Sequence, residues 1–189
     1  SFNPSYSEDK KRVTKGKGWA VEGWRKENRW NHDFVKYKPK TKTIPATAWY
    51  LDLQKMNMYV IDIDIKGNNT PKSVIQHDIY NILYDTSEYI VETGSGGLHF
   101  YYLGKPNINL IQQTKLDEFA KQLLHSDAYE NKLAEVDIIT KFIVSEYSNY
   151  TYDGKTYNYK SIKGSLQNIN HNPQIWKCVE KYITPQGKE

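Results

Sequence analysis

Three acidic residues and one glycine-rich loop carry the chemistry that this sequence offers. Asp62 and Asp64 lie in MYVIDIDI, residues Met58–Ile65, and Asp137 lies in EVDII, residues 135–139. Between them TGSGGLHFYY, residues 93–102, holds Ser95, Gly96, Gly97 and His99. A period of two in a β-branched segment puts Asp62 and Asp64 on one face of a strand. Two carboxylates side by side repel, and a hard divalent cation with oxygen ligands relieves that repulsion. Taken singly, D-x-D also fits an edge strand with one solvated face. Glycines let successive backbone amides turn toward one anion. Ser95 can add a hydroxyl and His99 an imidazole N–H. Acids beside such a loop suit a nucleoside triphosphate with Mg²⁺ or Mn²⁺: the acids hold metal and the loop holds phosphates. Taken singly, the loop also fits a tight turn with a structural histidine.

The elements that must position these residues are legible from periodicity. Strands are expected at 46–53, 58–65, 88–92, 98–103 and 136–139, with extended chain at 142–144. The glycine-rich loop then closes a hairpin between 88–92 and 98–103. Period two sets His99 with Tyr101 on one face and Leu98, Phe100 and Tyr102 on the other. Thr70 reads as an N-cap and Pro71 as the first helical residue. Val74, Ile75, Ile79, Ile82 and Leu83 recur at helical spacing, so 71–84 is expected to be one amphipathic helix. A second helix is expected from Thr114, with Leu116, Phe119, Ala120, Leu123 and Leu124 as its stripe. Asp153-Gly154 between tyrosine-rich arms predicts a type I′ hairpin over 150–159. Asn172-Pro173 begins a last helix, and 184–189 read as a linker.

Charge is unevenly placed. Residues 1–50 hold twelve Lys/Arg against five Asp/Glu, a net of +7, while the rest of the chain nets −3. A basic end joined to an acidic end suits a polyanion held beside a metal site. From Trp19 onward, aromatic rings alternate with Arg25, Lys26, Arg29, Lys36 and Lys38, a pattern suited to a single-stranded template. The tryptophans also fit a core with basic neighbours. With one cysteine, Cys178, a disulfide framework and a cysteine-based zinc ribbon are excluded, and no zinc site is expected. That usage fits an intracellular, soluble protein. No apolar run reaches membrane-spanning length, so no membrane partner is expected. The chain is divided as a basic flexible arm at 1–18, a catalytic domain at 19–170, and a C-terminal helix with the start of a linker at 171–189. It starts at Ser1 without a methionine, as a piece of a larger protein would.

The motif order resembles that of the archaeo-eukaryotic primase superfamily. It is most similar to the primase–polymerase (prim-pol) branch found in large DNA viruses, plasmids and mobile elements. Asp62 and Asp64 match the first motif, Ser95-Gly96-Gly97-Leu98-His99 the second, and Asp137 the third. The hairpin at Asp153-Gly154-Lys155-Thr156-Tyr157 extends the resemblance to about residues 46–160. Two positions depart from the pattern: Gly97 stands where many members have serine, and Ile139 where many carry a basic residue, which leaves Lys141 as the nearest cation.

The resemblance implies an α+β fold, with an α/β module packed on an RNA-recognition-motif-like module and the active site in the cleft between them. It implies a DNA primase/polymerase that makes primers or extends DNA on a single-stranded template, taking NTP or dNTP. Asp62, Asp64 and Asp137 would hold two divalent ions, Mg²⁺ or Mn²⁺. Ser95, Gly96, Gly97, His99 and Lys141 would hold the nucleotide. A fused or associated helicase is a partner of viral relatives. The place of work would be the site of DNA replication, in host cytoplasm or nucleus for a viral protein. Two other classes fit the same acids: a metal-dependent nuclease, and a catalytically inactive module that binds single-stranded nucleic acid.

Overall fold

The computed structural model describes residues 2–7, 12–19, 46–47, 50–104, 113–115 and 117–169. The protein is mixed α+β, with mostly antiparallel sheet. It divides into two units, Ser1–Leu51 with Ile143–Lys160, and Asp52–Phe142 with Ser161–Glu189. All the described residues expected to do chemistry belong to the second unit.

That second unit is built on a six-stranded sheet. Its spatial order is Lys160–Lys163, Tyr89–Glu92, Leu98–Leu103, Met58–Ile65, Ala134–Ile139, Gln113–Lys115. Met58–Ile65 is central and antiparallel to both neighbours. Its alternation separates two faces. Tyr59, Ile61, Ile63 and Ile65 join Ile90, Leu98, Phe100, Tyr102, Val136 and Ile138 in the main core. Val74, Leu83, Ala120, Leu123 and Ala128, from the helical segments, fill the same core. Full burial of each large apolar side chain is worth about 1.5–3 kcal/mol, so this face fixes the strand register. Asp62, Asp64, His99 and Asp137 are thereby forced onto the opposite face.

The helical segments are shorter than their apolar stripes. Thr70 caps Pro71–Val74 as expected, with Ser73 answering in a capping box. The helix then stops, and a second one runs His77–Thr86. Ile75 between them is extended and forms an antiparallel bridge with Leu124. Leu124 in turn separates Asp117–Leu123 from Ser126–Glu130. The single helix expected over 71–84 is therefore two, because Gln76 N–H donates to Leu123 O and His125 N–H to Val74 O. The helix expected from Thr114 begins instead at Asp117. Thr114 lies in a strand opposite Ile138, where the sheet edge accepts it.

In the first unit, Phe2–Ser7 pairs with Arg12–Trp19 as an antiparallel hairpin. The expected flexible arm is thus a β-ribbon at these residues. Asn149–Tyr152 pairs with Lys155–Asn158, with Asp153 at φ 50 and Gly154 at φ 71. Both turn residues are left-handed, as a type I′ turn requires. Tyr150 stacks on Tyr157 across the hairpin, ring centroids 5.1 Å apart. The stretch 46–53 is not one strand: Ala46–Thr47 pairs with the hairpin, and Tyr50–Asp52 pairs with Phe142–Val144. The expected C-terminal helix at 171–189 lies outside the described residues.

Candidate functional site

Register brings three of the expected residues abreast. Asp62 is paired with His99 on one side and with Asp137 on the other. Directly opposed residues in antiparallel sheet hold their β-carbons about 4.5–5.5 Å apart, so the three side chains form one row. His99 Nε2 is 3.4 Å from Asp62 Oδ1. The imidazole is 6% exposed and the Asp62 carboxylate 18% exposed, so both sit in a recess rather than on open surface. Asp137 is 4% exposed. A buried carboxylate beside a second carboxylate is costly unless positive charge or a proton is shared with them.

One step along the sheet lies a second acidic row. Asp64 is paired with Glu135. Glu135 is two residues before Asp137, hence on the same face, and the period of two that groups Asp62 with Asp64 reveals it equally. Lys66 continues the alternation and its Nζ is 3.0 Å from Glu135 Oε1. Glu135 and Lys66 are thus two further charged neighbours of the acids.

The glycine-rich turn packs against this end. A β-carbon on Gly97 would come within 2.6 Å of Ile63 O and 3.5 Å of Asp64 Cα. Gly97 is therefore glycine so that the turn can press on the Asp62–Asp64 backbone. Its amide is already engaged, donating to Thr93 Oγ1 at 2.9 Å. Gly96, at φ 86, donates its amide to Thr93 O at 3.0 Å. The expectation that these two amides point at an anion is corrected: both close the turn, which needs them because Thr93 supplies two acceptors at its neck. Ser95 Oγ lies 3.2 Å from Thr93 Oγ1, and a hydroxyl can still offer or accept a second bond.

Lys141 is not brought to the turn. It stands in the bend after Ala134–Ile139, where its carbonyl accepts from Leu53 N–H at 2.7 Å. The strand runs from Asp137 to Ile139, paired with Val60, and Lys141 lies two residues beyond that end. The turn lies at the other end, beyond Ile63 paired with Leu98. Arg25, Lys26, Arg29, Lys36 and Lys38 lie outside the described residues.

Among the described residues, no group of three or more His, Cys, Asp or Glu is gathered tightly enough to hold a metal ion. By donor type, the residues fit a hard cation: Asp62, Asp64 and Asp137 offer only carboxylate oxygens, in adjacent register positions of one face. Among the described residues, no helix is long and apolar enough to cross a membrane. Comparison with family models, with curated proteins and with solved structures found no match.

Proposed function

We propose that the chain contains the catalytic centre of a template-directed nucleotidyltransferase, a DNA primase/polymerase with the archaeo-eukaryotic primase fold. One observation carries this: the register that sets His99, Asp62 and Asp137 in a single row, with the Ser95 turn pressed against Asp64. Three motifs scattered over 76 residues of sequence meet on one sheet face, and that meeting supports the reading.

In this reading Asp62, Asp64 and Asp137 hold Mg²⁺ or Mn²⁺. Bound ions would supply activation of the attacking 3′-hydroxyl and stabilisation of the leaving pyrophosphate. His99 orients Asp62 from 3.4 Å and presents its imidazole to the incoming nucleotide. The Ser95 hydroxyl contacts the phosphates, while Gly96 and Gly97 hold the turn's shape. The basic residues Arg25, Lys26, Arg29, Lys36 and Lys38 attract the template. The substrates are single-stranded DNA and NTP or dNTP.

The test is incubation with unprimed single-stranded DNA, labelled nucleotides and Mg²⁺ or Mn²⁺, for the parent and Asp62→Ala. Growth of labelled product in the parent alone is expected. Shortening of end-labelled DNA without growth would mark a nuclease that uses the same acids. Binding with neither growth nor shortening would mark an inactive binding module.

A further inference from the structure

We infer that Lys66 is the cation that meets the terminal phosphates of a nucleoside triphosphate at this site, and that Glu135 is the positioning residue that holds it there. The inference rests on the nucleotidyl-transfer reading above and assigns the charge which that reading lacks. A phosphate tail entering four carboxylates needs fixed positive charge beyond any metal. Lys141, the cation nearest in sequence to the third motif, stands in the bend beyond the far end of Ala134–Ile139.

Lys66 is at the right end. It directly follows the strand Met58–Ile65, and its ammonium reaches Glu135, the register partner of Asp64, on the face of the acids. It is two residues, about 7 Å, past Asp64. The Ser95 turn presses on the backbone of Asp64 itself. The acids, the turn and Lys66 therefore lie at the same end of the central strand. Pairing continues past the strand, since Lys66 N–H donates to Leu133 O at 2.8 Å, so the base of the side chain is fixed. Only its four-carbon stem is free to move.

Glu135 explains why the lysine waits in place. Its carboxylate holds Nζ at 3.0 Å, and both side chains are about one-third exposed, at 34% and 35%. An ion pair that open contributes little to stability. It is weak enough for a more highly charged anion to displace. A phosphate oxygen would take the ammonium from Glu135 without unmaking any core contact.

The experiment is titration of ATP and of AMP into the whole chain with Ca²⁺ present, read by calorimetry. Lys66→Ala, Lys66→Arg and Glu135→Gln are compared with the parent. The parent should favour ATP over AMP. Lys66→Ala should lose roughly tenfold or more of that preference, the scale of one charge-assisted contact. Lys66→Arg should keep it. Glu135→Gln keeps an oxygen that accepts from Nζ but removes the competing charge, and should bind ATP more tightly, with AMP unchanged. A bridge that only decorates the surface would leave the ATP/AMP ratio the same in all four proteins, and that result overturns the inference while leaving nucleotidyl transfer standing. A parent without preference for ATP overturns both.

Discussion

Gly97 lies so close to Ile63 that a β-carbon on it would be 2.6 Å from the Ile63 carbonyl oxygen. That oxygen is backbone in the central strand and has nowhere to go. Gly97→Ala should therefore push the turn off the strand at Asp64. The expected loss is about 2 kcal/mol, with nucleotide addition falling in parallel. Gly96→Ala is the contrast: its added carbon meets open space, but φ 86 strains any L-residue. About 1 kcal/mol is expected there. Thermal melts of the two variants measure the difference, and equal losses would show that the turn is not pressed on the strand.

Asp62 is the residue shared by both register pairs, so its removal should separate metal binding from folding. In the parent, Mn²⁺ at a hundredfold excess over its dissociation constant should stabilise by about 2.7 kcal/mol. Asp62→Asn should lose that increment and lower synthesis by roughly a hundredfold or more. Melting with and without Mn²⁺ provides a readout that needs no activity. An undiminished Mn²⁺ shift in Asp62→Asn would place the ion elsewhere.

The sheet was legible wherever one face is apolar and the other is not. Met58–Ile65 and Leu98–Leu103 have the predicted bounds because alternation with Ile and Phe on one side admits one register. The same period would have exposed Glu135 from Asp137, and Lys66 from Asp64. What sequence could not give was the use of backbone groups. Nothing in Gly96-Gly97 says that Thr93, three and four residues earlier, takes both amides. Nor does an unbroken apolar stripe over 71–84 reveal that Ile75 leaves the helix, since that depends on Leu124, 49 residues away in sequence. Likewise Lys141 is close to Asp137 in sequence, yet the extended chain carries it away.

Tyr102 and Tyr59 make stability sensitive to alkali. Their rings stack at 5.4 Å, and burial is the chief cause that lifts both phenols far above their ordinary value near 10. Folding keeps each phenol neutral, whereas the unfolded chain ionises it above about pH 10. The folded pKa is raised, so stability is intact below pH 10 and falls as pH rises beyond it. The slope is about 1.4 kcal/mol per pH unit for each phenol. Tyr102→Phe should remove one phenol's share of that slope. At neutral pH it should cost about 1 kcal/mol, for the hydroxyl bond with Thr86 Oγ1 at 3.0 Å. Denaturant titrations from pH 8 to 11 test this, and an unchanged slope in the variant would remove Tyr102 from the account.

Gln76 and His125 should exchange their amide hydrogens as a pair. Each is the N-cap of its helix, and neither has a side-chain cap hydrogen bond. Amides at an open helix start have no partner in the helix and ordinarily exchange with solvent quickly. Here Gln76 N–H donates to Leu123 O at 2.8 Å and His125 N–H to Val74 O at 2.9 Å. The two bonds bracket Ile75 and Leu124, both of which are buried in the core. One cannot open without exposing the side chains that protect the other. Both amides should therefore be protected to a similar degree and respond together to denaturant. Gln76→Ala isolates the side chain, which donates from Nε2 to Leu124 O at 3.0 Å. It should cost about 1 kcal/mol and raise both exchange rates equally. Gln76→Pro fits φ −61 but deletes the backbone donor to Leu123 O, and should cost about 1–3 kcal/mol. Fast exchange at both positions in the parent would mean that the bridge does not form, and 71–84 would then be free to run as the single helix its sequence suggests.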